Sequence, residues 1–353
     1  MKQFCIVFIL TLSLAVSSIA QDKHFTQFYA SPMNLNPALT GGFNGTYRFS
    51  TIYRDQWRQA AGSAFSSFAG ALDLRFPVGI NQSRVRDAMA VGLMFDTDRV
   101  KEVGFSSTGM HFFGAFHKAL DSRSKQFLSA GLQLGLNQRN INISQLTFED
   151  QFNGSTGYTG ATNEVLPTEN SFPFADMAVG INYSFSPSSK AGLYVGAAMH
   201  HVFEPEISYY FDRRQNSSEL GSDQLYRRYT AHISSKFPVS NKLSLLPRAV
   251  ATLQGPHIEV NAGTSARVGI GDFQASAIHF GGWVRPLSNE TNGINLETAI
   301  LMVGFEVDNV LFGLSYDLSI SAVQSTQTGQ GVFELSVAYL GNYDNELVLC
   351  PKF

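Results

Sequence analysis

From Tyr47 onward, large apolar side chains alternate with small or polar ones, and this period of two is the strongest constraint on the fold. In Lys125–Arg139, for example, four leucines fall on one face and Ser, Gly, Gln and Asn on the other. About fourteen such runs of roughly ten residues follow one another as far as Leu340. The pattern predicts an all-β protein, which is either a soluble sandwich or a membrane barrel.

The lengths of the connections between the runs distinguish these two folds. Every second connection tends to be tight, as at Ser186–Lys190 and Pro238–Lys242, whereas Asn140–Pro173 and His201–Leu225 are long and lie in the other set. Short turns on one side and long loops on the other are typical of outer-membrane barrels. We therefore predict a transmembrane antiparallel β-barrel of about fourteen strands over residues 47–340, with periplasmic N- and C-termini.

Composition and the placement of aromatic residues favour the membrane barrel. Charged residues make up 15% of the chain, well below the roughly one quarter usual in soluble domains. A sandwich with aromatics in its core remains the alternative, but its outer faces would carry more charge. The net charge of −3 shows no basic footprint for nucleic acid. Aromatic residues fall at run ends, where membrane-interface girdles are expected, namely Tyr53, Trp57, Phe76, Phe95, Phe185, Tyr194, Trp283 and Tyr339.

The two ends of the chain are predicted to lie outside the barrel wall. Residues 1–20 have the charged start, the short apolar core and the small-residue cleavage site of a signal peptide. Cleavage would remove Cys5 and leave Cys350 as the single cysteine. Residues 341–353, beyond the last strand, are expected to form a periplasmic tail.

The segment Gln21–Gly42 is rich in aromatics, Asn and Pro, and it has neither strand nor helical periodicity. The inward set of the strands is small and polar, and a barrel of about fourteen strands is wide enough to enclose something. We expect residues 21–46 to form a periplasmic plug or docking element. The long loop Asn140–Pro173 is a second candidate for filling the lumen.

No pattern indicates catalysis or a cofactor. The chain has no nucleophile elbow, no Walker loop and no zinc spacing, so we predict no enzyme activity, no cofactor and no metal site. His200 and His201 are adjacent in a strand and should point to opposite faces. Asp73 and Arg75 share one face, and we predict that they form an ion pair in the lumen.

Three stretches resemble the PorP/SprF family of outer-membrane proteins, which is tied to type IX secretion and gliding motility. One is Tyr53-Arg54-Asp55-Gln56-Trp57, and another is the ending Cys350-Pro351-Lys352-Phe353, in which Lys stands where the family has Arg. The third lies in the leading segment, where the matching residues are Asp22, His24, Phe25, Gln27, Phe28, Tyr29, Pro32, Leu35, Asn36, Pro37, Ala38, Gly41 and Gly42.

The resemblance implies a barrel in the lipid of the cell outer membrane that supports secretion and cell-surface anchoring of an adhesin with a C-terminal sorting domain. It also implies contacts with periplasmic secretion or motility components, and it implies no catalytic residue. An outer-membrane channel or transporter for small solutes, and a purely structural membrane protein, remain open as alternatives. Partner docking is then expected from both ends of the chain, at Gln27, Phe28, Tyr29, Asn36, Pro37, Cys350, Pro351 and Phe353.

Overall fold

Fourteen long strands close into one antiparallel barrel in the computed structural model. The structure describes residues 22–56, 65–78, 87–155, 157–167, 169–188, 190–213, 217–218, 223–270, 276–288, 294–320 and 331–341. The predicted signal peptide, Trp57 and the tail with Cys350, Pro351 and Phe353 lie outside the described residues. The predicted all-β barrel of about fourteen strands is confirmed.

Each barrel strand pairs with its neighbours along the chain, and the first strand pairs with the last. The short strands β8 and β9 form a separate hairpin within a loop. The strands are β1 Tyr47–Gln56, β2 Phe65–Val78, β3 Asp87–Val100, β4 Phe105–Ala119, β5 Gln126–Asn140, β6 Ser171–Ser188, β7 Ala191–His200, β8 Phe211–Asp212, β9 Ser217–Ser218, β10 Arg228–Pro238, β11 Leu243–Gln254, β12 His257–Ile270, β13 Ser276–Ser288, β14 Ile294–Val307, β15 Val310–Ser319 and β16 Val332–Gly341.

Alternation along the strands separates an apolar outer face from a polar lumen. On β5, Leu136 is 63% exposed, whereas Gln133 on the opposite face is 5% exposed. The outward residues are large and apolar because they face lipid, and the inward residues are small or polar. Among the described residues, no helix has the length and apolar character needed to span a membrane.

Two aromatic residues expected in the interfacial girdle lie in the lumen instead. Tyr194 and Trp283 are both buried, with Trp283 4% exposed. The Trp283 ring lies beside Gly263 and Gly281, where a side chain would occupy the same space. The girdle prediction is wrong for these two positions, because position near the end of a run does not decide which face a side chain takes.

The two ends of the barrel differ. The longest connections, from Asn140 to Ser171 and from His200 to Arg228, leave the same end, which we term the long-loop end. Tyr47, where β1 begins, pairs with Gly341, where β16 ends. Both lie at the end of the barrel opposite the long loops, which we term the terminus end.

Residues 22–46, hereafter the lumen segment, run through the inside of the barrel. They form three short helical turns, Phe28–Ala30, Pro32–Leu35 and Pro37–Leu39, two of which begin at a proline. The segment therefore lies inside the lumen along its length.

Hydrogen bonds at both ends of the lumen segment fix this path. The Asp22 N–H donates to Gln254 Oε1 over 3.1 Å, at the end of β11 that lies with the long loops. The Thr46 N–H donates to the Gly341 carbonyl over 2.9 Å, at the terminus end.

Candidate functional site

The site with the most buried polar contacts is the interface between the lumen segment and the barrel wall. Glu334 on β16 is 0% exposed, and its carboxylate accepts the backbone N–H of Thr26 at 2.7 Å and of Gln27 at 2.9 Å. Arg54 on β1 lies 2.5 Å from the same carboxylate. The Gln27 side chain donates to Ser315 Oγ over 3.0 Å. A single buried carboxylate therefore binds both the segment and the first strand.

A second carboxylate extends this contact through the hydroxyl of Thr26. Thr26 Oγ1 donates to Asp317 Oδ2 over 2.7 Å and accepts from Arg285 Nη2 at 2.5 Å. Arg285 Nη2 also lies 3.1 Å from Asp317 Oδ2. Together with Arg54 and Glu334, this gives two cations and two carboxylates. Buried charges persist only where they are paired and hydrogen-bonded, and the segment supplies part of that pairing.

At the long-loop end, His201 joins the segment to the wall. Its Nε2 contacts the Asp22 carboxylate and its Nδ1 lies 2.9 Å from Asp176 Oδ2. Arg228 Nη1 lies 3.1 Å from Asp22 Oδ2. Burial lowers the pKa of His201, but the carboxylates of Asp22 and Asp176 outweigh it and raise the pKa to about 9. Burial raises the pKa of Asp22, but His201 and Arg228 outweigh it, and the net pKa is lowered.

The rings of His200 and His201 are both buried, rather than lying on opposite faces. His201 has a φ of 57°, so the extended backbone ends at His200 and the second ring turns inward. Among the described residues, no group of three His, Cys, Asp or Glu side chains is placed to hold a metal ion.

Asn36 anchors the middle of the lumen segment. It is 0% exposed, and its side-chain amide donates to the carbonyls of Ile181 at 2.9 Å and Ala197 at 3.3 Å. Its side-chain oxygen accepts the Ala38 N–H at 2.9 Å. A buried amide that makes these bonds fixes both position and direction of the segment, because neither a hydrophobic residue nor a carboxylate could replace them all.

Two glycines of the wall make room for this part of the segment. A Cβ at Gly180 on β6 would collide with the Asn36 side chain. A Cβ at Gly131 on β5 would collide with the backbone of Pro37 and Ala38. The absence of side chains at these inward positions lets the segment lie directly against the wall.

Tyr29 packs against the opposite side of the lumen. Its ring stacks on Trp283, with centroids 5.8 Å apart and an interplanar angle of 24°. The Arg248 guanidinium lies 4.1 Å from the Tyr29 centroid. Ile300 and Met302 complete a small buried apolar cluster with Trp283, against which Tyr29 packs. This contact explains why an indole faces the lumen.

At the terminus end, Asp73 binds the segment through the Gly41 N–H at 2.7 Å. Its cation partner is Arg48, which reaches the two carboxylate oxygens with Nε at 2.9 Å and Nη2 at 2.7 Å. Arg75 instead donates from Nη1 to the Gly41 carbonyl over 2.9 Å. The two residues predicted to pair with each other in the lumen thus have different partners, and both of them contact Gly41.

The residues expected to dock a partner divide into two groups. Gln27, Phe28, Asn36 and Pro37 are buried against the barrel's own wall, and Tyr29 is half-buried there. A partner could reach them only if the segment left the lumen. Cys350, Pro351 and Phe353 lie outside the described residues, so their docking role stays a prediction.

Sequence reasoning missed the wall residues that bind the segment. Arg54, Arg285, Asp317 and Glu334 are charged residues at inward positions of otherwise apolar or small-residue strands. That combination was a usable signal, because an unpaired charge facing a lumen needs a partner inside it.

The lumen segment leaves separate spaces at the two ends of the barrel. A cavity of about 500 Å³ at the long-loop end is lined by Lys23, His201 and Tyr209, among others. Another of about 220 Å³ lies at the terminus end, beside Phe43 and Lys242.

Comparison with known proteins places the chain among membrane barrels. A sequence model of the family described as "Type IX secretion system membrane protein PorP/SprF" matches residues 17–339. None of the curated proteins compared with the chain matches it.

Among solved structures, the toluene transporter TodX of Pseudomonas putida is 9% identical, with a TM-score of 0.51, covering 92% of this chain and 99% of that one. The monoaromatic hydrocarbon channel CymD is 12% identical, with a TM-score of 0.48 and coverages of 90% and 94%. BamA of Haemophilus ducreyi is 10% identical, with a TM-score of 0.41 and coverages of 84% and 70%. At these identities, the TodX likeness shows a shared outer-membrane barrel fold and nothing finer.

Proposed function

Because this chain belongs to the PorP/SprF family of type IX secretion system membrane proteins, we propose that it supports secretion and cell-surface anchoring of a partner protein, an adhesin with a C-terminal sorting domain. Its barrel is of the outer-membrane type, and the family and fold are those of a membrane secretion barrel. In this role the chain performs no catalytic step. The barrel holds the partner protein at the outer membrane.

The occupied lumen of the barrel supports this proposal independently of family membership. The lumen segment crosses the middle of the barrel, and buried carboxylates of the wall bind its backbone, as Glu334 binds the Thr26 N–H and Asp73 binds the Gly41 N–H. A barrel built for diffusion needs a wet path through its centre, and here the centre holds Asn36, which is fully buried. A closed barrel suits an anchor, which must hold a partner without making the outer membrane leaky.

We place the partner at the long-loop end. Short turns of outer-membrane barrels face the periplasm and long loops face outward, so the loops after Asn140 and His200 would face outward. The terminus end would then face the periplasmic components of the secretion or motility machinery. Arg213, in the second of these loops, links that loop to the first. Its Nη1 lies 2.8 Å from Glu169 Oε2, and its guanidinium lies 3.5 Å from the centroid of the Phe172 ring.

A channel for small solutes is the second candidate. The 500 Å³ cavity at the long-loop end favours it, since that volume falls within the usual range of small-molecule sites. A channel of this kind would need the lumen segment to move. Flux of small solutes through the reconstituted wild-type protein would therefore support the channel over the anchor.

The anchoring proposal can be tested in a host that uses type IX secretion. The gene is deleted and complemented with the wild-type barrel or with a variant whose loop lacks residues 143–167. We expect cargo carrying a sorting domain to be lost from the cell surface in the deletion strain and the loop variant, and restored by the wild type. Because those residues lie outside every barrel strand, the variant should still insert, and heat-modifiable migration on gels checks this.

Unchanged surface cargo in the deletion strain, together with solute flux through the purified barrel, would overturn the anchor in favour of the channel. If only the loop variant keeps a normal amount of cargo at the cell surface, the partner binds elsewhere on the barrel.

A further inference from the structure

The first long loop, between β5 and β6, displays two aromatic rings to solvent. Phe152 and Tyr158 pair as an isolated β-bridge, and their ring centroids lie 5.3 Å apart. Each of the two side chains is 55% exposed. We term this pair the aromatic tip. It brings two large side chains into contact with each other while leaving more than half of each uncovered.

Hydrogen bonds at the base of the aromatic tip hold it in place. The Gly160 N–H donates to the Gln151 carbonyl over 3.0 Å, and the Gln151 side chain donates to the Gly160 carbonyl over 3.3 Å. The Asn163 N–H donates to Asp150 Oδ2 over 2.6 Å. Because these bonds order the loop before any partner binds, covering the two rings costs little conformational entropy.

Contacts with the second long loop hold the first loop as well. The Tyr210 hydroxyl donates to the Val165 carbonyl over 3.1 Å. The Glu169 N–H donates to the Tyr209 carbonyl over 3.0 Å. The aromatic tip therefore belongs to one connected surface at the long-loop end.

The first long loop is acidic throughout. Residues 140–171 contain four Asp or Glu and no Lys, Arg or His. Glu169 pairs with Arg213 of the second loop. The other three are exposed and have no cation partner in the part of the chain that the structure describes, namely Glu149, Asp150 and Glu164. The side chain of Asp150 is bound only by uncharged groups, so it keeps its negative charge. The field around the aromatic tip is therefore negative.

This combination of rings and carboxylates selects the kind of partner. Exposed apolar side chains in contact with each other mark interaction sites, and aromatic residues are enriched in protein interfaces. An acidic border favours a basic partner surface, and it repels anionic surfaces such as phosphorylated glycolipids. The fitting partner is a protein with an apolar pocket bordered by Lys or Arg.

We propose that the aromatic tip inserts into an apolar pocket of the secreted partner, and that Lys or Arg residues around this pocket pair with Glu149, Asp150 and Glu164. The tip contact rests on the anchoring role proposed above and names the surface that performs it. The rings then govern how long the complex lasts and the carboxylates how fast it forms, because buried anchors act mainly on dissociation and border charges on association.

Binding kinetics of the full-length barrel in nanodiscs test the role of the rings. The probe is the purified C-terminal sorting domain of a surface adhesin of the host, fused to a fluorescent protein. Phe152→Ala with Tyr158→Ala should raise the Kd at least about tenfold, through faster dissociation. Phe152→Tyr with Tyr158→Phe keeps both rings and should keep the wild-type Kd. The matched control is Phe203→Ala, which removes a 68% exposed ring from the second long loop and should change the Kd less than about twofold.

Charge reversal tests the acidic border separately. Glu149→Lys with Glu164→Lys should lower the association rate constant about tenfold at low salt. The difference from the wild type should disappear at 1 M salt, where the screening length is about 3 Å. Heat-modifiable migration on gels checks that every variant is folded.

The outcomes separate the tip contact from the anchoring role. If the probe binds the wild type and the variant without rings equally well, or if Phe203→Ala loses as much affinity, the tip contact is overturned and the anchoring role stands. Faster association of the charge-reversed variant would also overturn the tip contact, because the partner surface would then be acidic. If the probe does not bind the wild-type barrel, the tip contact and the anchoring role both fail.

Discussion

Arg54 and Glu334 lie directly opposite each other in the register between β1 and β16, with Arg54 Nη1 2.5 Å from Glu334 Oε1. This pair therefore sits on the seam that closes the barrel. Because Glu334 also accepts the N–H groups of Thr26 and Gln27, closure of the barrel and seating of the lumen segment share one carboxylate. We infer that the segment and the seam stabilise each other.

Glu334→Gln should weaken both the β1–β16 seam of the barrel and the attachment of the lumen segment to the wall. The substitution leaves the Arg54 guanidinium buried without its full charge partner, a loss of about 3–5 kcal/mol for a buried pair. We expect the folded band to convert to the unfolded band at a lower temperature on gels, and limited proteolysis to cut the lumen segment.

The matched control for this variant is Glu306→Gln. Glu306 pairs with Arg267 and His279 on the wall, so its loss should lower barrel stability without releasing the segment. Equal proteolysis of the segment in the two variants would argue against the shared role of Glu334.

Gly131→Ala should displace the segment sterically. A methyl group at this inward position would meet the backbone of Pro37 and Ala38, and overpacking of this kind costs about 1–3 kcal/mol. Gly114→Ala on the neighbouring strand is the control, since a Cβ there meets nothing within 4 Å. Trp283 fluorescence, measured in a Trp57→Phe background, should shift to longer wavelength in the first variant and stay constant in the second.

Attachment of the segment at the long-loop end should weaken at alkaline pH. The pKa of His201 is raised from 6.5 to about 9, so its contribution is complete below about pH 6.5 and is lost as the pH rises through about 9. Protease sensitivity near Asp22 should increase between pH 7 and pH 10. His201→Gln should be sensitive already at pH 7 and show little further change, and an unchanged pH profile in that variant would contradict the assignment.

Asn36→Ala combined with Pro37→Ala should leave barrel insertion intact while releasing the middle of the segment. The double variant loses the side-chain bonds to the Ile181 and Ala197 carbonyls, each worth about 1 kcal/mol or somewhat more when buried. Surface retention of cargo should fall if the closed lumen supports anchoring. If cargo is retained normally at the cell surface although the segment is released, the segment serves only as a stopper or a folding aid and has no part in anchoring.

The barrel could be predicted because the patterns that specify it lie within short stretches of the sequence. Alternation of side chains fixes which face meets lipid, and the turn lengths fix the two ends. The bonds inside the lumen were not predictable in this way. Thr26 of the lumen segment meets Glu334 on the last strand, more than 300 residues away in sequence. Asp73 binds Arg48 on the neighbouring strand β1 instead of Arg75 on its own strand.

The path that the lumen segment takes through the barrel could not be predicted, for a related reason. A stretch without periodicity carries no register of its own, so its path depends on the charges and glycines of the wall that surrounds it. Trp283 shows the same limit, because its position near the end of a run did not reveal that it faces the lumen, where its ring packs on Tyr29 and beside Gly263 and Gly281.

Ion conductance of the purified protein in planar bilayers tests closure of the lumen most directly. The wild-type barrel should show no steady open state, and Gly131→Ala or Glu334→Gln should show frequent openings that Gly114→Ala does not. A wild-type barrel that stays open, with the conductance of an empty lumen and no change in the variants, would contradict the account.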